Sequence, residues 1–193
     1  MKKYLFLITL IIFITGCSIR NINDYDINDI IDMALKENTS VTNETFSGYK
    51  YYLPRGIKTI DRKDTNSIFL RDNTYYYLFV DLVSYYNKKV YKFEENSEHI
   101  LSKKINYNDI DGFIDIVLKD DIYYARIFYN YSKIEFMCYE EDLKRSIYDS
   151  IKILSSIKYN DTIIESLIGN SVLNYVEEEF KLFDETKIDE GLF

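Results

Sequence analysis

The sequence predicts an α+β domain, and three observations carry that expectation. Apolar residues recur with helical spacing from Ile27 to Leu35, period-two patterning rich in tyrosine fills roughly residues 46 to 140, and helical spacing returns from Leu143 to Leu154. A helix, an antiparallel sheet and a long helix able to cover one face of that sheet make one domain, flanked by helices at both ends.

The elements follow in order. Ile27, Ile30, Ile31, Ala34 and Leu35 fall at i, i+3, i+4, i+7 and i+8, one face of a helix. Asp26 and Asp29 near its start and Lys36 near its end suit the helix dipole. The stretch "DYDINDIID" resembles a calcium loop only superficially, since it lacks the glycine and the terminal glutamate, and it reads as a helix start. "ENTSVTNET" then breaks the pattern. Strands are predicted at 47–53, 56–61, 66–71, 74–86, 90–94, 98–105, 112–119, 122–131 and 133–139. Asp72-Asn73 and Asp120-Asp121 tolerate turn conformations and predict hairpins. Pro54, the only proline, ends the first strand. After the long helix, "SIKYN" returns to an extended segment. Ile163, Ile164, Leu167 and Ile168 predict a further helix up to Gly169-Asn170, and "YVEEEFKLFDE" continues as a weaker amphipathic stretch.

Ahead of the domain, Lys2 and Lys3 precede an apolar run of eleven residues, Tyr4 to Ile14, followed by small residues. That is the layout of an export signal. The run is too short for a bilayer-spanning helix, which needs about 20 apolar residues. The tetrapeptide Ile14-Thr15-Gly16-Cys17 resembles the lipobox of bacterial lipoproteins. The resemblance implies a diacylglycerol on the Cys17 thiol, cleavage after Gly16 by signal peptidase II, and a mature chain held on the cell membrane, facing outside the cytoplasm. Two acyl chains meet the requirement for stable anchoring, where one would not. The expected organisation is a signal peptide at 1–16, a lipidated cysteine and short tether at 17–26, a globular domain at 27–160 and a helical acidic extension at 161–193. With Cys17 lipidated, the second cysteine, Cys138, has no partner within the chain. Alternation in "KIEFMC" predicts that its thiol is buried and inert.

The segments "GYKYYLPRGI", "SIFLRDNTYYYLFVDLVSYY", "GFIDIVLKDDIYYARIFYNYSKIEFMC" and "DLKRSIYDSIKILSSIKYN" together resemble the PsbP/Mog1 layout over about residues 46 to 160. Proteins of that fold are mostly accessory or binding factors without enzymatic activity, so the resemblance implies a binding role.

Composition narrows the function classes. Hydrophobic residues make up 47% of the chain, which is globular rather than disordered. The formal net charge is −8, and becomes −10 once Lys2 and Lys3 leave with the signal peptide. Lys88-Lys89 and Lys103-Lys104 are isolated pairs and make no basic stripe, so nucleic acid is not expected as a partner. The six glycines stand at 16, 48, 56, 112, 169 and 191, in no phosphate-binding array. No cofactor or metal is expected. The single histidine, His99, rules out a two-histidine metal motif, and beside Glu98 at a strand start it reads as a solvated side chain. Asp81 in "LFVDLVS" and Asp115 in "GFIDIVL" each interrupt an apolar strand. Alternation points both to solvent, whereas a catalytic role would need them on neighbouring strands sharing a face. Twenty tyrosines in strand-borne runs leave some rings exposed, with Tyr75, Tyr77, Tyr85 and Tyr123 as the candidate binding surface.

These readings converge on a membrane-anchored lipoprotein outside the cytoplasm, with a non-catalytic domain that binds an envelope protein or a small ligand. Two alternatives stand beside it: an envelope hydrolase or metal-assisted enzyme using Asp81 and Asp115, and a structural subunit of a surface assembly docking through the acidic tail at Tyr175 to Glu185.

Overall fold

A computed structural model describes residues 21–37 and 41–168. Cys17, Gly16 and the acidic tail lie outside the described residues. Within them the chain is α+β. Helix α1 spans Ile27–Lys36, capped by the Asp26 carboxylate, which accepts from the Asn28 backbone N–H at 2.8 Å. It buries Ile30, Ile31, Ala34 and Leu35, the face that the spacing predicts. Just before it, Asn21 and Asp24 form a reciprocal capping box around a turn of 3₁₀ helix, Ile22–Asp24.

Strands β1 (Glu44–Phe46) and β2 (Tyr49–Tyr51) form a small sheet with β10 (Lys158–Tyr159), in the order β1-β2-β10. The main sheet has seven antiparallel strands: β3 (Lys58–Lys63), β4 (Asn66–Arg71), β5 (Thr74–Val80), β6 (Leu101–Tyr107), β7 (Ile110–Lys119), β8 (Ile122–Tyr129) and β9 (Ser132–Cys138). Their order is β3-β4-β5-β9-β8-β7-β6. Three of its hairpins turn on two residues with positive φ: Asn108-Asp109, Asp120-Asp121 and Asn130-Tyr131. These are the conformations that match the twist of the flanking strands. At Gly112, in β7, a side chain is excluded because a Cβ would stand 2.4 Å from the carbonyl oxygen of Phe128.

The register fixes the two faces. On one, Ile116, Ala125, Phe136, Tyr76 and Phe69 run side by side across the sheet, with Ile114, Ile127, Ile134 and Leu78 in the next row. All are buried, under helix α3 (Glu140–Ser155) and its apolar face of Leu143, Ile147, Ile151 and Leu154. Helix α1 lies along α3, tied by Lys144 Nζ to the carbonyls of Asn23 and Tyr25 (2.8 and 2.7 Å) and by Lys152 Nζ to that of Glu37. The part of the expected tether from Ile22 to Tyr25 therefore packs against the domain. Cys138 is 6% exposed in this core, and burial pushes its thiol up to about 12, so it stays protonated near neutral pH.

Several element boundaries differ from the sequence expectation. The strand predicted at 74–86 stops at Val80, because the Asp81 side chain accepts from the Ser84 backbone N–H at 2.7 Å and starts a short helix, α2 (Leu82–Tyr86). Residues 90–94 form no strand, and β6 begins at Leu101 rather than at 98. The strand predicted at 47–53 is replaced by β1 and β2, which turn at Gly48. Its φ is +84°, and a Cβ there would meet Ile164 at 2.9 Å. Ile164 and Ile168 belong to helix α4 (Asp161–Ile168) and are buried in the core, so the first eight residues of the expected extension pack with the domain.

Asp149 on α3 pairs with Arg71 of β4, Nε to Oδ2 at 2.7 Å, at 1% side-chain exposure. Burial outweighs the nearby Arg71 and Arg145 and raises its carboxyl from 3.8 to about 6. The fold therefore favours the protonated form. The stability this group contributes is fully present below 3.8 and is lost as pH rises through about 6. Asp149→Asn should remove that downward slope, which urea unfolding midpoints measured across pH 3.5 to 7 will show.

Candidate functional site

Among the described residues no helix packs on the main sheet's second face. Lys104, Phe113, Phe128, Lys133 and Phe79 run across it in one row, and Ser102, Asp115, Arg126, Glu135 and Tyr77 in the next. What covers it is the connection from α2 to β6, residues 87–100. The chain must pass three strands to travel from β5 to the edge strand β6, and it does so as a strap over this face.

Two kinds of contact hold the strap. At its start, the Tyr91 ring lies 4.4 Å from that of Phe128 and its hydroxyl donates to Asp81 Oδ2 at 2.6 Å. Phe93 stacks on Phe113 at 4.2 Å with the planes 4° apart, and Phe113 in turn stacks on Phe128 at 5.4 Å. At the far end His99 Nδ1 meets Asp115 Oδ1 at 2.5 Å, while Arg126 Nη2 donates to Asp115 Oδ2 at 3.1 Å. Asn96 fixes the ring from the other side. Its Oδ1 accepts from the Glu98 backbone N–H (3.0 Å), which turns its Nδ2 toward His99 Nε2, also at 3.0 Å. With an amide donating to Nε2, the imidazole proton sits on Nδ1 and is donated to Asp115. The Asn96 N–H donates to Ser102 Oγ at 2.9 Å. A second buried pair, Lys133 with Glu135 at 2.9 Å, stands in the same rows.

These findings correct three expectations. Asp115 is 2% exposed and not solvent-facing. His99 is not a solvated side chain, since only 9% of it is exposed. Asp81 is half-buried as a helix cap and a partner of Tyr91. Asp81 and Asp115 do serve the same face of the sheet, where each has both oxygens engaged.

The four tyrosines singled out by sequence fall in different places. Tyr75 and Tyr77 lie on the strap side of β5, and Tyr123 sits on the opposite face against the core. Tyr85 stacks on Tyr159 at 3.8 Å and donates to Asp161 at 2.7 Å. The rings that the structure gathers are instead Tyr91, Phe93, Phe113 and Phe128. Alternation in "VYKFEE" was the available signal, and it reads equally as a strand.

Among the described residues, Tyr91 and Phe128 line three clefts that adjoin the strap. The largest, about 430 Å³, is walled by Tyr91, Phe93, Phe113 and Phe128 with Lys92, Glu94, Lys104 and Asp111 at its margin. A second, of about 240 Å³, lies between Phe79, Asp81, Arg126 and Lys133. Among the described residues no group of His, Cys, Asp and Glu side chains could hold a metal ion. No family model and no curated protein matches the chain.

Removing the Asp115 carboxylate takes from both Arg126 and His99 the acceptor that they share, and breaks the buried pair. Asp115→Ala should cost about 3 kcal/mol, measured by urea unfolding, in the range for breaking one partner out of a buried pair.

Proposed function

We propose that this chain is a lipid-anchored protein of the bacterial cell envelope, held outside the cytoplasm by Cys17, whose domain binds a ligand or partner without catalysing a reaction. The observation that carries the binding reading is the cleft between strap and sheet. One face of the sheet is sealed by a helix, whereas the other is spanned by a loop that leaves aromatic walls open to solvent beside it. Sites of that kind, apolar with a few placed polar groups, are where small molecules settle.

The chemistry around the cleft favours binding over catalysis. His99 has Nδ1 committed to Asp115, and the Asn96 amide stands at Nε2, where a nucleophile would have to be. The carboxylates of the hydrolase reading, Asp81 and Asp115, are engaged in a helix cap and in an ion-pair network. The PsbP/Mog1 resemblance points the same way by analogy. The assembly-subunit reading rests on the tail, which lies outside the described residues.

Anchoring is tested in cells by fractionation. Wild type should partition with membranes and carry lipid on its N-terminal cysteine, and Cys17→Ala should be unlipidated and leave the membrane fraction. A Cys17→Ala protein that still sediments with membranes, beside an unlipidated wild type, contradicts the anchoring.

A further inference from the structure

We infer that the cleft walled by Tyr91, Phe93, Phe113 and Phe128 binds a neutral, hydroxyl-rich ring, a saccharide unit. The inference rests on the binding reading above and names the ligand class for that cleft.

Size is the first ground. A volume of about 430 Å³ is in the range of small-molecule sites and well beyond a packing defect. Shape and surface are the second. Phe93 and Phe113 are both half-buried and stacked nearly parallel, which leaves each ring one face turned away from the other, and the partly exposed Tyr91 adds an amphipathic ring. The faces of such rings carry the negative lobe of the quadrupole. The C–H groups on one side of a sugar ring are weakly positive and flat enough to lie against them.

Charge is the third ground, and it selects the class. The margin carries Lys92 and Lys104 against Glu94 and Asp111, two cations and two anions, in a chain whose net charge is −8. Among the described residues Lys92, Glu94 and Lys104 are held in no ion pair, and Asp111 uses one oxygen to accept from Asn106 Nδ2 at 2.7 Å. The cleft thus offers strong donors and strong acceptors with no net charge. An anionic or cationic ligand would bring a charge that this margin does not balance, whereas a polyol satisfies both signs at once. A purely apolar ligand would cover the charged groups without pairing them, at a desolvation cost.

The test is calorimetric titration of the full chain, in a detergent without sugar headgroups, with neutral disaccharides of glucose, galactose, mannose and N-acetylglucosamine. Digalacturonate serves as the anionic control. At least one neutral disaccharide should bind saturably, and more tightly than digalacturonate. Phe93→Ala should weaken it about tenfold by removing one stacking face. Lys104→Met, which keeps an exposed stem and removes the ammonium, should weaken it about fivefold for one hydrogen bond. Thermal unfolding of both variants checks that they fold. Failure of every neutral disaccharide, preference for digalacturonate, or binding indifferent to both substitutions overturns the inference. Because the titration needs no membrane, its failure is distinct from loss of anchoring in the fractionation experiment. Digalacturonate binding that is lost in Phe93→Ala would overturn the ligand class while sparing the binding reading.

Discussion

A carboxylate at the centre of the sheet face that the strap crosses is the constraint around which this half of the molecule is arranged. Asp115 has aliphatic residues on either side of it in β7, and a buried charge there is tolerable only if it is paired and hydrogen-bonded. Arg126 supplies the counter-charge from β8, and His99 arrives from the strap to occupy the other oxygen. The same contact that satisfies Asp115 therefore ties down the far end of a loop with no helix or strand of its own between Asn87 and Ile100. A replacement by well-packed apolar residues could match it for stability, so the polar version is better understood as fixing where the strap lies.

The two faces of the sheet are held by different physics. Beneath α3 the core is aliphatic and aromatic, closed by ordinary hydrophobic burial, and its polar exceptions are local: Tyr76 to Ser146, and Asp149 to Arg71. Beneath the strap the contacts are ring on ring and charge on charge, concentrated at the ends and along Tyr91 and Phe93. A loop has too few side chains to fill the area that a helix covers. The unfilled remainder is the clefts beside the strap. Among the described residues no helix is long and apolar enough to cross a membrane.

Much of this was legible in the sequence, and the rest was legible only with one more step. Helices α1 and α3 follow directly from apolar spacing, and β4, β7, β8 and β9 from alternation between turn residues. The ionic row could also have been read. Asp115 and Arg126 are equally distant from the Asp120-Asp121 turn, Arg126 and Glu135 from Asn130-Tyr131, and Ser102 and Asp115 from Asn108-Asp109. Two-residue hairpins thus place Ser102, Asp115, Arg126 and Glu135 side by side. Local patterning could not show that residues 87–100 fold over the sheet. Their alternation of aromatic and charged residues is that of a strand, and only the distance from β5 to β6 across three others makes them a strap. Nor could it show the break at Asp81, where a helix cap overrides a run of strand formers. The tyrosines misled for a related reason: their abundance in strands says nothing about which face each one takes.

His99 and Asp115 hold the far end of the strap against the sheet. Amide hydrogen exchange, read residue by residue by NMR, tests this most directly. The Asn96 and Glu98 amides, bonded to Ser102 Oγ and Asn96 Oδ1, should exchange far more slowly than free chain in the native protein. In His99→Ala they should lose that protection while the amides of α3 keep theirs. Strap amides that exchange at free-chain rates in the unmodified protein would contradict the latch and the cleft that it shapes.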